Sequence, residues 1–210
     1  MRLSDERYEK DLRKLALARR MVRHEARTGS IMEWTGLSQW RLRMLWRQET
    51  GEEDELAPLR HRGPMPSQLN LFYNSPAARS EAGALAASFR LHSVVPLETG
   101  PGALRRLASL DRGERLCDAF EGYIDLVPEP RYSLDHAIQL LRALVLGDEL
   151  AVAHCLGCQG VLVIDRLARG APRCVVCRTG PLPGLSLPES DGARSATLAP
   201  EPVEVQQSLF

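Results

Sequence analysis

Four of the chain's five cysteines fall in two pairs, Cys155-Leu-Gly-Cys158 and Cys174-Val-Val-Cys177, with fifteen residues between the pairs. Two residues between thiolates let one tight turn aim both sulfurs at a common point. Two such knuckles complete a tetrahedron around an ion at metal–sulfur distances of about 2.3 Å. The double spacing is that of a zinc site. Four thiolates fill the coordination sphere and leave no position for water, so one structural Zn2+ per chain is expected on Cys155, Cys158, Cys174 and Cys177. Gly157, Gly160 and Gly180 flank the knuckles, where backbone amides must turn back toward sulfur. Two disulfides or a redox-switched zinc site would use the same residues, and spacing alone leaves both open. His154, beside Cys155, reads as a flanking histidine, and Cys117 as a small buried apolar residue within a helix.

A second pattern runs from Ser30 to Arg47, SIMEWTGLSQWRLRMLWR. A helix-turn-helix needs apolar residues where two helices touch, a glycine able to adopt positive φ in the turn, and an apolar residue just after it. Ile31, Gly36, Leu37, Leu42 and Leu45 meet those demands in order. The face left over on the second helix carries Gln39, Trp40, Arg43 and Arg47, with Arg41 and Met44 at its margins. Arginine and glutamine there can contact guanine, adenine or phosphate, which makes Gln39, Arg41, Arg43 and Arg47 the candidate DNA contacts. An ordinary helical hairpin with solvated arginines gives the same pattern.

The elements that must position these residues are mostly α-helical. Helical periodicity covers 4–26, with Leu12, Leu15, Leu17, Met21 and Val22 recurring at helical spacing; Ser30 is placed to cap a short helix at 31–35, Gly36 to end it, and Ser38 to cap a third helix reaching Glu49. Residues 51–67 carry an acidic run and three prolines, which is linker composition. Asn74-Ser75-Pro76 supplies a cap and an N1 proline for a helix over about 76–93. Further helical patterns cover 101–125 and 133–147, the last opened by Ser133 and stopped at Gly147. From Ala151 short β-branched runs replace them (Val161, Val163, Ile164; Val175, Val176), and after Gly180 the chain is rich in proline, serine and alanine, as in a disordered tail. The expected organisation is helix-turn-helix-like helices at 1–50, a linker or junction at 51–74, a helical domain at 75–150, a zinc ribbon at 151–180 and a tail at 181–210.

The charge balance first argues against nucleic acid, because 27 Lys and Arg meet 27 Asp and Glu in 210 residues. Divided by segment it is uneven. Residues 1–50 hold twelve basic and seven acidic residues, and residues 155–180 hold Arg166, Arg169, Arg173 and Arg178 against Asp165 alone. The compensating acids sit in the linker and tail. No run of about 18 apolar residues is present and the first ten residues are charged, so a cytoplasmic protein without a membrane span is expected, with its thiols reduced. The five histidines are scattered and no glycine-rich phosphate loop follows a strand, so no enzyme activity is expected.

With these residues in hand, the chain resembles the family of the flagellar transcriptional activator FlhC over roughly residues 10–180. The resemblance rests on GLSQWRLRMLWRQETG (36–51), on RGPMPSQLNLF (62–72), on the helical middle, and on AHCLGC (153–158) followed by CVVC (174–177). It implies a non-enzymatic, DNA-binding transcription activator. Such a subunit assembles with FlhD in a heterohexamer at flagellar class II promoters, recruits RNA polymerase, and binds zinc through the four cysteines. Two other readings of the residues are a zinc-ribbon adaptor that binds protein without DNA, and a DNA-processing factor tethered to a sliding clamp by Gln206-Gln-Ser-Leu-Phe210. The similar Gln68-Leu-Asn-Leu-Phe72 is expected to be packed.

Overall fold

The protein is seen as a computed structural model in which residues 3–49, 58–61 and 63–179 are described. The expected tail at 181–210, with its terminal Gln206–Phe210 peptide, and the acidic Glu52–Glu55 run lie outside the described residues. Among the described residues the chain is mostly helical, with one two-stranded antiparallel sheet at the C-terminal end. No helix there is long and apolar enough to cross a membrane.

Helix α1 (Leu3–Arg23) buries Leu17, Ala18, Met21 and Val22. Its stripe is shorter than periodicity predicts, because Leu12 is 48% exposed. What fixes α1 beyond that stripe is a ladder of ion pairs onto α6 (Leu110–Leu126). Arg13 reaches Asp111 at 2.5 Å and Glu114 at 2.6 Å, and Arg20 reaches Asp118 at 2.5 Å and Glu121 at 2.6 Å.

Helix α2 (Thr28–Thr35) begins three residues before the expected start, and Ser30 is not its cap. The acceptor comes from elsewhere. Asp135, buried in the first turn of α7 (Leu134–Leu146), accepts from the Arg27 backbone N–H at 3.0 Å, from Arg27 Nη1 at 3.0 Å and from Ser30 Oγ at 2.5 Å. The carboxylate takes the N-cap residue's own N–H and the Ser30 hydroxyl rather than a first-turn amide, so Ser30 sits inside α2 as a donor and α2 starts without a side-chain cap.

The remaining caps are local. Ser75 Oγ accepts from Ala78 N at 3.1 Å at the start of α4 (Pro76–Leu91), and Ser133 and His136 form a capping box at α7. The pattern over 101–125 is two helices, α5 (Pro101–Arg105) and α6, because Ser109 caps a new start by accepting from Arg112 N. The junction is not all linker: Phe72 is fully buried in a 3-10 turn over Leu69–Phe72, with Met65, Leu69 and Leu71 packed against the core beside it.

Strands β1 (Leu150–His154) and β2 (Val161–Asp165) pair antiparallel, Leu150 opposite Asp165 and His154 opposite Val161. The hairpin lies directly on α4. The approach is close because residue 83 is glycine: a Cβ there would stand 2.1 Å from the Val161 carbonyl oxygen. Residues from α1, α2, α3 (Gln39–Glu49), α4–α7 and the hairpin, Met21, Leu42, Phe89, Ile138 and Val163 among them, share one hydrophobic core. The segments separated in sequence at 1–50, 75–150 and 151–180 are one packed unit over their described residues.

Candidate functional site

The four cysteines converge. All four sulfurs lie within 4.8 Å of one another, and Cys158 Sγ is 3.6 Å from Cys174 Sγ. An ion bound tetrahedrally at about 2.3 Å from sulfur sets the sulfurs about 3.8 Å apart, so the separation fits a metal. Cys155 follows directly on β1, and the six-residue connection to β2 forms the first knuckle. Cys155 N donates to Gly160 O at 2.8 Å and Gln159 N to Cys155 O at 2.9 Å, with Gln159 at φ 59° closing the turn. Gly157 is required by the second knuckle, since a Cβ at that position would stand 2.8 Å from Cys177 Sγ.

The second knuckle opens a short helix, α8 (Val175–Thr179), where β-branched composition predicts strand. The sulfur geometry decides this. Cys177 N donates to Cys174 Sγ at 3.4 Å and Arg178 N to Cys174 O at 3.1 Å, which wraps Val175 and Val176 into a turn. Leu156 N donates to Pro172 O at 3.0 Å and Cys174 N to Cys155 Sγ at 3.3 Å, tying the two knuckles together.

These amides set the acidity of the thiols. The backbone N–H groups of Cys174 and then Cys158 hold the Cys155 thiol down to about 6, while hydrogen bonding to Cys174 pushes Cys177 up to about 12. The backbone thus favours the thiolate at Cys155, the form in which a cysteine binds a metal. His154 stands outside the set of donors and meets Gln159 O through Nδ1 at 3.1 Å. Cys117 is apart from the site, its thiol raised to about 12 by burial.

The helix-turn-helix-like segment is built as its residues demand. Gly36 ends α2 at φ 68°, with its N–H on Met32 O at 2.8 Å. Thr35 locks the turn, its hydroxyl donating to Ile31 O at 2.6 Å and accepting from Leu37 N at 3.2 Å. Helix α3 (Gln39–Glu49) buries Leu42, Leu45 and Trp46. Sequence reasoning missed Trp34 and Trp46 as anchors of this pair; the signal was the four-residue step from Leu42 to Trp46 on one face.

Gln39, Arg41, Arg43 and Arg47 all face solvent, and Trp40 beside them is 68% exposed. None of the three guanidinium groups meets a carboxylate among the described residues. The basic residues of α1 are placed differently: Arg13 and Arg20 are held by α6, while Arg19 and Arg23 lie 3.3 and 3.6 Å from the Glu49 carboxylate. Arg41, Arg43 and Arg47 are therefore a group of arginines on α3 that the ion pairs of α1 do not engage.

No protein-family model matches the chain, and no curated protein matches it significantly.

Proposed function

We propose that the chain is a DNA-binding subunit of a transcription activator of the FlhC type, with one structural Zn2+ on Cys155, Cys158, Cys174 and Cys177. The observation that carries this reading is the α2–Gly36–α3 unit, whose core side is locked by Trp34, Leu42 and Trp46 and whose outer side presents Gln39, Arg41, Arg43 and Arg47 without acidic partners among the described residues. A helix held rigidly on one side and carrying arginine and glutamine on the other suits the major groove.

Zinc is the ion that a four-thiolate donor set takes in a reducing cytoplasm, with iron–sulfur chemistry as the other S4 case. Bound there, it holds the hairpin loop and α8 together and supplies folding free energy rather than chemistry. The resemblance supplies the remaining parts of the proposal: an FlhD-like partner in a heterohexamer, RNA polymerase, flagellar class II promoters and a cytoplasmic location.

The test is DNA binding by the metal-loaded chain, alone and with a co-expressed FlhD-like protein, across a salt series. The expected result is affinity that falls as a power of salt concentration and disappears in Arg43→Gln/Arg47→Gln. Absence of DNA affinity at every salt concentration, with the partner present, overturns the proposal. That outcome favours the protein-adaptor reading, for which Trp40 (68% exposed) and Met44 (38% exposed) on the same face are the supporting observation.

A further inference from the structure

Between α4, the loop after β2 and α8 the chain forms a cleft of about 530 Å3 whose walls come from three separate places. Arg79 enters from α4; Asp165, Arg169 and Arg173 come from the end of β2 and the loop after it; Arg178 comes from α8. The four arginines face a single carboxylate. That carboxylate is committed to the backbone, since Asp165 Oδ1 accepts from Leu167 N at 2.8 Å. Arg79 is oriented by donating from Nε to Tyr73 O at 2.9 Å, which leaves its terminal nitrogens for the cleft. Arg169, Arg173 and Arg178 are exposed and meet no carboxylate among the described residues. The fourth arginine of this segment, Arg166, is excluded from the group: it donates from Nη1 to the Gly147 carbonyl that ends α7.

We infer that this cleft is a second nucleic-acid contact, separate from the α3 face, which takes backbone phosphates of DNA. The inference rests on the DNA-binding reading above and adds to it a sequence-independent anchor. Guanidinium forks match the oxygens of a phosphate, and four on three walls suit an anion that recurs along a chain. A zinc tetrathiolate carries a net double negative charge, which Arg173 and Arg178, adjacent in sequence to Cys174 and Cys177, lie closest to along the chain. The four guanidinium charges still exceed the combined negative charge of that centre and Asp165. The metal centre thereby acquires a role in binding: it fixes the loop and the short helix that hold three of the four arginines. Phosphate contacts position a protein on DNA, whereas base contacts on α3 specify sequence.

The test uses the full metal-loaded chain, with its FlhD-like partner where that is needed for binding, and a fluorescein-labelled duplex of arbitrary sequence alongside a promoter duplex. Arg169→Gln/Arg173→Gln is expected to weaken both duplexes by the same factor and to lower the slope of log affinity against log salt by about 0.9 for each phosphate that is no longer neutralised. Metal content and the thermal midpoint check that the ribbon stays folded. The single variant Arg169→Glu, at an exposed residue, serves where the double variant does not fold, and should weaken binding in the same uniform way. Unchanged affinity and slope in these variants, while Arg43→Gln/Arg47→Gln abolishes binding, overturns the cleft and leaves the DNA-binding reading standing. No affinity in the wild-type chain, with or without the partner, overturns that reading first and the cleft's role with it. Inorganic phosphate at matched ionic strength that binds wild type but not Arg169→Glu, while leaving the duplex bound to wild type, assigns the cleft to a free anion and overturns the backbone contact.

Discussion

Gly83→Ala tests the docking of the hairpin that carries the first cysteine pair onto the helical layer. Gly83 lies inside α4, where alanine is preferred over glycine by about 1 kcal/mol, so helix propensity alone predicts stabilisation. The packing predicts the opposite. The new Cβ would stand 2.1 Å from the Val161 carbonyl oxygen and 2.8 Å from its carbonyl carbon, so β2 must retreat by about 1.3 Å to reach an ordinary 3.4 Å separation. The obstacle is backbone, which cannot rotate aside. Lifting β2 uncovers Leu162 and Val163, which are 2% and 0% exposed. Full burial of such a side chain is worth about 1.5–3 kcal/mol, so uncovering roughly half of each, with the strain of overpacking, costs about 2–4 kcal/mol. A net destabilisation of about 2 kcal/mol is expected, measured by urea unfolding of the metal-loaded protein followed by circular dichroism. Gly113→Ala in α6 is the internal comparison. Its Cβ would meet Leu17 Cδ2 at 2.7 Å, the end of a side chain that can turn away, and its cost should be smaller. If Gly83→Ala is as stable as wild type, or more stable than Gly113→Ala, the close approach of β2 to α4 is wrong.

Other consequences follow from individual interactions. Asp135→Ala leaves the buried Ser30 hydroxyl and the half-buried Arg27 without their acceptor and should cost about 1–3 kcal/mol; a midpoint shift in urea equivalent to less than about 0.5 kcal/mol, with unchanged slope, would contradict the role of Asp135 at the start of α2. Burial holds His136 below its ordinary value of 6.5, so the unfolded chain binds the proton more readily. The stability this histidine contributes is present above about 6.5 and is lost as pH falls through its lowered folded value; His136→Gln should flatten that part of the melting-temperature profile against pH. Cys174→Ser removes one of four ligands, and should lower metal content and open residues 150–179 to proteolysis while the helices stay folded; an unchanged protease pattern would contradict a structural metal.

What could be read from the sequence was what the chain decides locally. Ser75, Ser133 and Gly36 act within one turn of themselves, and each ends or starts its helix where its side chain or its positive φ requires. The cysteine knuckles belong to the same class: two short turns whose spacing carries the geometry. Readings failed where the deciding partner was distant or was not a side chain. Ser30 is drawn into α2 as a donor to a carboxylate more than a hundred residues away, and Leu12 is left exposed beside Arg13, which reaches across to Glu114 on α6. Val175 and Val176 favour strand by composition, yet amide-to-sulfur bonding at Cys174 and Cys177 winds them into a helix. Arg79 carried no signal at all. Only the fold of α4 under the hairpin puts it beside Arg169 and Arg178.

The same distinction changes what a net charge of zero means for a DNA-binding protein. Counting along the chain assigns the basic residues before α3 to binding, but most of them are paired with carboxylates at the surface of the fold. Arg13, Arg19, Arg20, Arg23 and Arg27 each meet a carboxylate, on α6, at the end of α3 or on α7. An arginine already paired offers less to a phosphate, since its partner must be displaced first and both groups must be resolvated in the exchange. The charge that can act at once lies elsewhere, on Arg41, Arg43 and Arg47 of α3 and on the arginines of the cleft between α4, the loop after β2 and α8. Each is a small patch, and small patches reach few phosphates. On the proposed DNA-binding reading, patches of this size give one copy weak affinity, and several copies presented to one duplex gain because linked weak interactions multiply their effect. That is the physical case for placing this chain in a hetero-oligomer on DNA, and it depends on which arginines are free rather than on how many there are.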